Sequence, residues 1–133
     1  MQLQSPRVLY IEDHEDTREL VTLLLSQKNY EVVTGSTIES GIALATGGNF
    51  DLYLLDSWLP DGSGLELCQK IRQFDKTTPI LFYSAAAYAS DLELALQCGA
   101  QAYMIKPSQP SDLCRLVSEL IESSKSHLSR AAH

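Results

Sequence analysis

Five carboxylates sit in two places along the chain. Glu12, Asp13, Glu15 and Asp16 crowd one short segment, and Asp56 stands alone behind an apolar run. Ser84 and the pair Lys106-Pro107 each follow a further apolar run. Carboxylates about 4 Å apart repel one another, more strongly away from bulk water. Such a cluster either raises a pKa or recruits a cation. Oxygen ligands without His or Cys favour Mg²⁺, which takes a few carboxylates, waters and a phosphate. A metal beside Asp56 leaves one carboxylate oxygen free as a nucleophile, and Asp can form an acyl phosphate. A phosphoryl group spreads its charge over its oxygens. Mg²⁺, the Lys106 ammonium and the Ser84 hydroxyl would answer that charge electrostatically.

Each residue alone has an ordinary explanation. Acids near position 12 could start a helix, whose N-terminus favours negative charge. Asp56 could cap a turn. Ser84 and Lys106 could be solvated, and Tyr103 could be plain core. Gly62-Ser63-Gly64 is no dinucleotide fingerprint, because Leu67 holds the third glycine's place. There is no Walker A sequence. His14, His127 and His133 form no ligand cluster.

The elements that must position these residues are short apolar runs alternating with helical patterns. Val8-Leu9-Tyr10-Ile11 reads as a strand, followed by a helix from about Asp16 to Lys28 with Leu20, Leu23 and Leu24 on one face. Glu31–Thr34 is a second strand. Ile38, Ile42 and Ala45 space a helix that Gly47-Gly48 ends. Leu52–Leu55 lacks polar alternation, so both its faces should be covered. Leu65, Leu67, Cys68 and Ile71 mark a third helix, and Ile80–Tyr83 a fourth strand. Leu92, Ala95 and Leu96 suit a helix stopped near Gly99, and Ala102–Ile105 is a fifth strand. Leu113, Leu116, Val117, Leu120 and Ile121 fall at helical spacing. The expected architecture is α/β: a doubly wound, five-stranded parallel sheet with helices on both faces. Ligands in such folds bind beyond the carboxyl ends of the strands, where all the candidate residues stand.

Composition sets the outer bounds. The 133 residues are 44% hydrophobic and 20% charged, so a packed core is expected and disorder is not. A net charge of -7 argues against nucleic acid, which wants a basic face. No apolar run approaches the ~20 residues a bilayer requires. The start, Met1–Pro6, lacks a signal layout, which argues against export. Cys68, Cys98 and Cys114 are odd in number and widely spaced, so they read as buried thiols in a reducing compartment. The tail Lys125–His133 is polar and expected to fray.

The segments YIEDHED, DLYLLDSWLPDGSG, ILFYSA and AYMIKP resemble the receiver domain of bacterial response regulators, the chemotaxis-regulator-like proteins of two-component signalling. The likeness runs from about Arg7 to Ser124, giving a domain over 5–124 and a tail over 125–133. It implies the flavodoxin-like (βα)5 fold with strand order 2-1-3-4-5. It implies Asp56 as phosphoacceptor, Ser84 as switch hydroxyl, Lys106 as the active-site lysine and Tyr103 as the rotating aromatic. It implies Mg²⁺ held by Asp13, Asp56 and the backbone carbonyl of Trp58, with Glu12 acting through water. It also implies a cis bond between Lys106 and Pro107. Glu12 departs from the commoner Asp, and Trp58 is large where the family varies. Trp58 and Ala86 flank the route of a hydrolytic water and are expected to set the lifetime of the acyl phosphate.

The resemblance implies a switch that catalyses its own aspartyl phosphorylation and dephosphorylation and is not otherwise an enzyme. Its phosphodonor would be a histidine kinase or a histidine phosphotransfer protein. The phosphoryl oxygens would draw Ser84 in, and Tyr103 would swing inward behind it. Readout would pass through the face of helix four, strand five and helix five, with Ala95 and Tyr103 among the contacts, to an output outside this chain. The expected setting is cytoplasmic, without membrane or direct nucleic-acid contact, as a monomer or a phosphorylation-dependent homodimer. Two alternatives are a receiver-like docking domain that is never phosphorylated and a flavin-binding module of the same topology. The flavin reading suffers from the acidic loop after strand one. An aspartyl-nucleophile phosphatase would want a second Asp where Trp58 stands.

Overall fold

Side-chain alternation along the central strands explains their unbroken apolar content. In Arg7–Ile11 (β1), Leu9 and Ile11 enter one core while Val8 and Tyr10 enter another. Leu52–Leu55 (β3) divides the same way, Tyr53 and Leu55 against Leu52 and Leu54. So does Ile80–Ser84 (β4), Ile80 and Phe82 against Leu81 and Tyr83. A strand apolar on both faces must be covered by helices on both.

A computed structural model describes residues 5–131, with side chains through 125. The expectations for residues 1–4 and for His133, and for the side chain of His127, lie outside the described residues. The edge strands Glu31–Gly35 (β2) and Ala102–Ile105 (β5) complete a parallel sheet in the order β2-β1-β3-β4-β5, as expected. The helices Glu15–Gln27 (α1) and Pro110–Ala131 (α5) cover one face through Val21, Leu25, Leu113, Val117 and Ile121. Ile38–Gly47 (α2), Gly64–Phe74 (α3) and Ala89–Gln97 (α4) cover the other through Ile38, Ala45, Leu67, Ile71 and Ala95. Burying a large aliphatic side chain contributes about 1.5–3 kcal/mol, so these two cores hold the sheet between its helices. Among the described residues no helix is long and apolar enough to cross a membrane.

Four details depart from the expectations. The buried face of α1 is Val21 and Leu25, whereas Leu20 and Leu23 are 57% and 55% exposed. On α4 only Ala95 is buried, and Leu92, Leu94 and Leu96 face solvent. The last helix runs past Ser124 to Ala131 where a frayed tail was expected; no Gly or Pro interrupts that stretch. A hairpin also follows β3, with Trp58–Leu59 antiparallel to Gly62–Ser63. Its two-residue arms are too short to carry a periodic signal.

That hairpin is tied down on both sides. Asp61 at its tip accepts from the Ile38 and Glu39 N–H groups at 2.8 and 3.1 Å, so it caps α2 from a distance. The same bonds hold the Asp61 carboxyl below its usual range. Gly62 sits at φ 151°, a conformation that suits glycine. At Gly64 a β-carbon would overlap the Asp56 carbonyl oxygen, so only glycine lets α3 begin this close to the end of β3.

Candidate functional site

Register brings the strand ends together. Ile11 pairs with Leu55 across β1 and β3, so Glu12 and Asp56 emerge side by side where the strand order reverses. The Asp56 N–H donates to the Ile11 carbonyl at 3.0 Å and fixes that juxtaposition. Ser84 pairs with Ile105, and the Lys106 N–H donates to the Ser84 carbonyl at 2.8 Å. The Lys106–Pro107 bond is cis.

The side chains then converge. Glu12 is 1% exposed, Asp56 7% and Ser84 0%, while Asp13 is exposed. Carboxylate oxygens of Glu12, Asp13 and Asp56 lie within 4.8 Å of one another. The Lys106 ammonium bonds Glu12 Oε1 and lies 3.8 Å from Asp56 Oδ1. The Tyr10 hydroxyl donates to Glu12 Oε1 at 3.3 Å, and the His14 N–H to Glu12 Oε2 at 3.3 Å. Arg18 Nη1 donates to the Glu12 carbonyl at 2.8 Å and steadies the acidic turn. The Ser57 N–H donates to Asp56 Oδ1 at 2.8 Å. An open cleft of about 390 Å³ exposes this cluster, lined by Glu12, Asp13, His14, Asp56, Trp58 and Lys106 among others.

Burial, and then the neighbouring Glu12 carboxylate, push the Asp56 carboxyl up to about 7. Burial pushes Glu12 up as well, but hydrogen bonds with Asp56 and Lys106 outweigh it and hold Glu12 low. One ammonium thus faces two buried acids, and it cannot neutralise both. A hard cation among these oxygens, or a proton on Asp56, removes the imbalance. The donor set is all oxygen and fits Mg²⁺.

The response regulator receiver domain model matches residues 8–118. The chain belongs to this family. The receiver is 35% identical over 107 residues to the response regulator ArlR of Staphylococcus saprophyticus, covering 80% of this chain and 48% of that protein. It is 36% identical over 121 residues to the cell cycle response regulator CtrA of Brucella ovis, covering 91% and 52%. The chain therefore spans about half the length of these curated relatives. Among solved structures, it resembles a CheY-like receiver domain from Methanospirillum hungatei with TM-score 0.89 and 27% identity, covering 92% and 98% of the two chains. It resembles the non-phosphorylated HemR receiver domain of Leptospira biflexa with TM-score 0.83 and 32% identity, covering 88% and 94%.

The receiver cleft gathers Glu12, Asp13, Asp56, Trp58 and Lys106. Ser84 and Ala86 stand behind it, with Ser84 Oγ accepting from the Ala86 N–H at 3.1 Å. Tyr103, expected to swing inward, is already turned in. Its hydroxyl donates to the Ala86 carbonyl at 2.7 Å, and its ring stacks on Phe82 at 5.8 Å. Ala95, expected as a surface contact, is fully buried; Leu92, Leu94 and Leu96 of α4 and Ile105 of β5 are exposed instead. Sequence reasoning missed Tyr10, His14 and Arg18 as supports of the acidic turn. Tyr10 was accessible to it, since residues two apart on a strand share a face. For Ser57 the sequence carries no signal.

Proposed function

We propose that this receiver is a phosphorylation-driven switch of a two-component relay. Asp56 is the phosphoacceptor, and the donor is the phosphohistidine of a histidine kinase or a histidine phosphotransfer protein. An Asp56 carboxylate oxygen attacks phosphorus, the P–N bond breaks, and the imidazole leaves with its electron pair and takes up a proton. Glu12 (through water), Asp13, Asp56 and the Trp58 carbonyl are the residues that would hold Mg²⁺. The bound ion supplies positive charge opposite the phosphoryl oxygens. Lys106 needs only a small shift from Glu12 to meet an oxygen carried on Asp56, which is 3.8 Å away. Ser84 Oγ accepts from Ala86, so its own proton is free to go to a phosphoryl oxygen. The observation that carries this reading is the pair of buried acids against a single ammonium at the sheet's switch point.

Trp58, 64% exposed at the rim of the cleft, shields the acyl phosphate from water together with Ala86. The readout face is α4, β5 and α5, where the exposed leucines of α4 and Ile105 offer apolar contacts to an output partner. The free thiols Cys68, Cys98 and Cys114 agree with a cytoplasmic setting.

Acetyl phosphate with Mg²⁺ should add one phosphoryl group by intact mass, and Asp56→Asn should abolish the addition. A wild type that never gains mass would instead leave the non-phosphorylated docking reading. Trp58→Asn should shorten the lifetime of the phosphorylated form, and equal decay rates would remove Trp58 from this role.

A further inference from the structure

Ser57 joins the site to the aromatic behind it. Its N–H donates to Asp56 Oδ1 at 2.8 Å, and its carbonyl accepts from the Gly64 N–H at 2.9 Å. With the backbone held on both sides, its side chain has a fixed origin. The hydroxyl of Ser57 lies 3.3 Å from the hydroxyl of Tyr103. A phenol has one proton, and Tyr103 gives its proton to the Ala86 carbonyl at 2.7 Å. The proton between Ser57 and Tyr103 must therefore come from Ser57. The bonds run in one direction, from Ser57 to Tyr103 to Ala86, so each polarises the next. The Ala86 N–H then reaches Ser84 Oγ at 3.1 Å. A continuous path leads from the Asp56 carboxylate through Ser57, Tyr103 and Ala86 to Ser84, although Asp56 and Ser84 share no direct bond in the structure.

We propose that Ser57 is a positioning residue that latches Tyr103 in its inward rotamer by donating to the phenol oxygen. The latch acts on the free protein as well as the phosphorylated one. It shifts the resting population of the aromatic toward the state that phosphorylation favours. This deepens the switch reading above and rests on it for its consequence, though not for the contact itself.

The test labels the protein with 3-fluorotyrosine and assigns the Tyr103 ¹⁹F resonance by its loss in Tyr103→Phe. In unphosphorylated protein, Ser57→Ala should move or broaden that resonance, and Ser57→Thr, which keeps the hydroxyl, should restore it. One net hydrogen bond corresponds to a roughly two- to tenfold fall in the ratio of inward to outward Tyr103. Adding beryllium fluoride and Mg²⁺, a phosphoryl mimic, should then move the resonance further in Ser57→Ala than in wild type. A Tyr103 resonance in Ser57→Ala that superimposes on wild type overturns the latch, as does a Ser57→Thr protein that behaves like Ser57→Ala. Failure of Asp56 to accept phosphoryl groups would overturn the switch reading but leave the latch to be judged on the free protein alone.

Discussion

The two ends of the sheet use the same residue types in opposite ways. At the amino end, the charged groups of Asp75 and Arg72 are each met by several hydrogen-bond partners. Asp75 accepts from the Tyr53 hydroxyl and from the Thr77 and Thr78 N–H groups at 2.8, 3.2 and 3.0 Å. Arg72 donates to the Gly99 carbonyl, the Asp75 carbonyl and Gln101 Oε1, all within 3.1 Å. Gln101 Oε1 in turn accepts from the Ile80 N–H at 2.7 Å. At the carboxyl end, Glu12 and Asp56 share one ammonium, and an acid is left over. The amino end is built so that nothing more need bind. The carboxyl end leaves a charge that a cation or a proton would offset. Polar satisfaction stabilises the fold, and its lack at the carboxyl end is what supports the proposed site there.

Substitutions at the two ends should therefore differ in sign. The largest loss is expected from Arg72→Ala, which strands the Gly99 and Asp75 carbonyls and removes packing; thermal unfolding should register about 3 kcal/mol. Asp75→Ala should cost about 2 kcal/mol by the same measurement. Donors hold the Asp75 carboxyl below its ordinary value of 3.8. Its contribution is complete above that value and lost as pH falls below it, so the mutant's deficit should shrink in acid. Asp56→Asn should do the reverse and stabilise the metal-free protein by about 1–2 kcal/mol at pH 8. The folded value of Asp56 is raised from 3.8 to about 7, so its carboxyl weakens the fold progressively as pH climbs between them. The gain should vanish near pH 4 and should narrow when Mg²⁺ is added. A destabilised Asp56→Asn in metal-free buffer would erase the contrast between the two ends. The smallest effect is expected from Glu31→Gln, which breaks an exposed pair with Arg7 at 2.8 Å and should cost no more than about 0.5 kcal/mol.

The sheet was legible because continuous apolar strands and helical spacing are strong local signals, and its strand order came through the family resemblance. Glu12, Asp56 and Lys106 were legible too, since each stands one step past a strand that the pattern itself defines. What escaped was the set of partners. Leu20 and Leu23 satisfy helical spacing as well as Val21 and Leu25, and only packing decides which pair turns inward. Leu92 and Leu96 misled in the same way on α4. The hairpin at Trp58 depends on Asp61 reaching the start of α2, a contact between residues 23 apart. The latch from Ser57 to Tyr103 spans 46 residues and involves one hydroxyl. Contacts of that kind arise from the assembled fold and leave no periodic trace in the chain.

Ala95 is the only residue of α4 that enters the core, whereas α3 sends in Leu67, Cys68 and Ile71. Local opening costs whatever contacts the opened segment gives up, so α4 is the cheapest helix of its face to release. Its amide hydrogens should exchange with solvent sooner than those of α3. A partner that covers the leucines of α4 would slow that exchange at a distance from Asp56. Under the proposed switch, a partner that ties down this one helix would alter how readily the cleft holds a phosphoryl group, and by linkage the influence would run equally in the other direction.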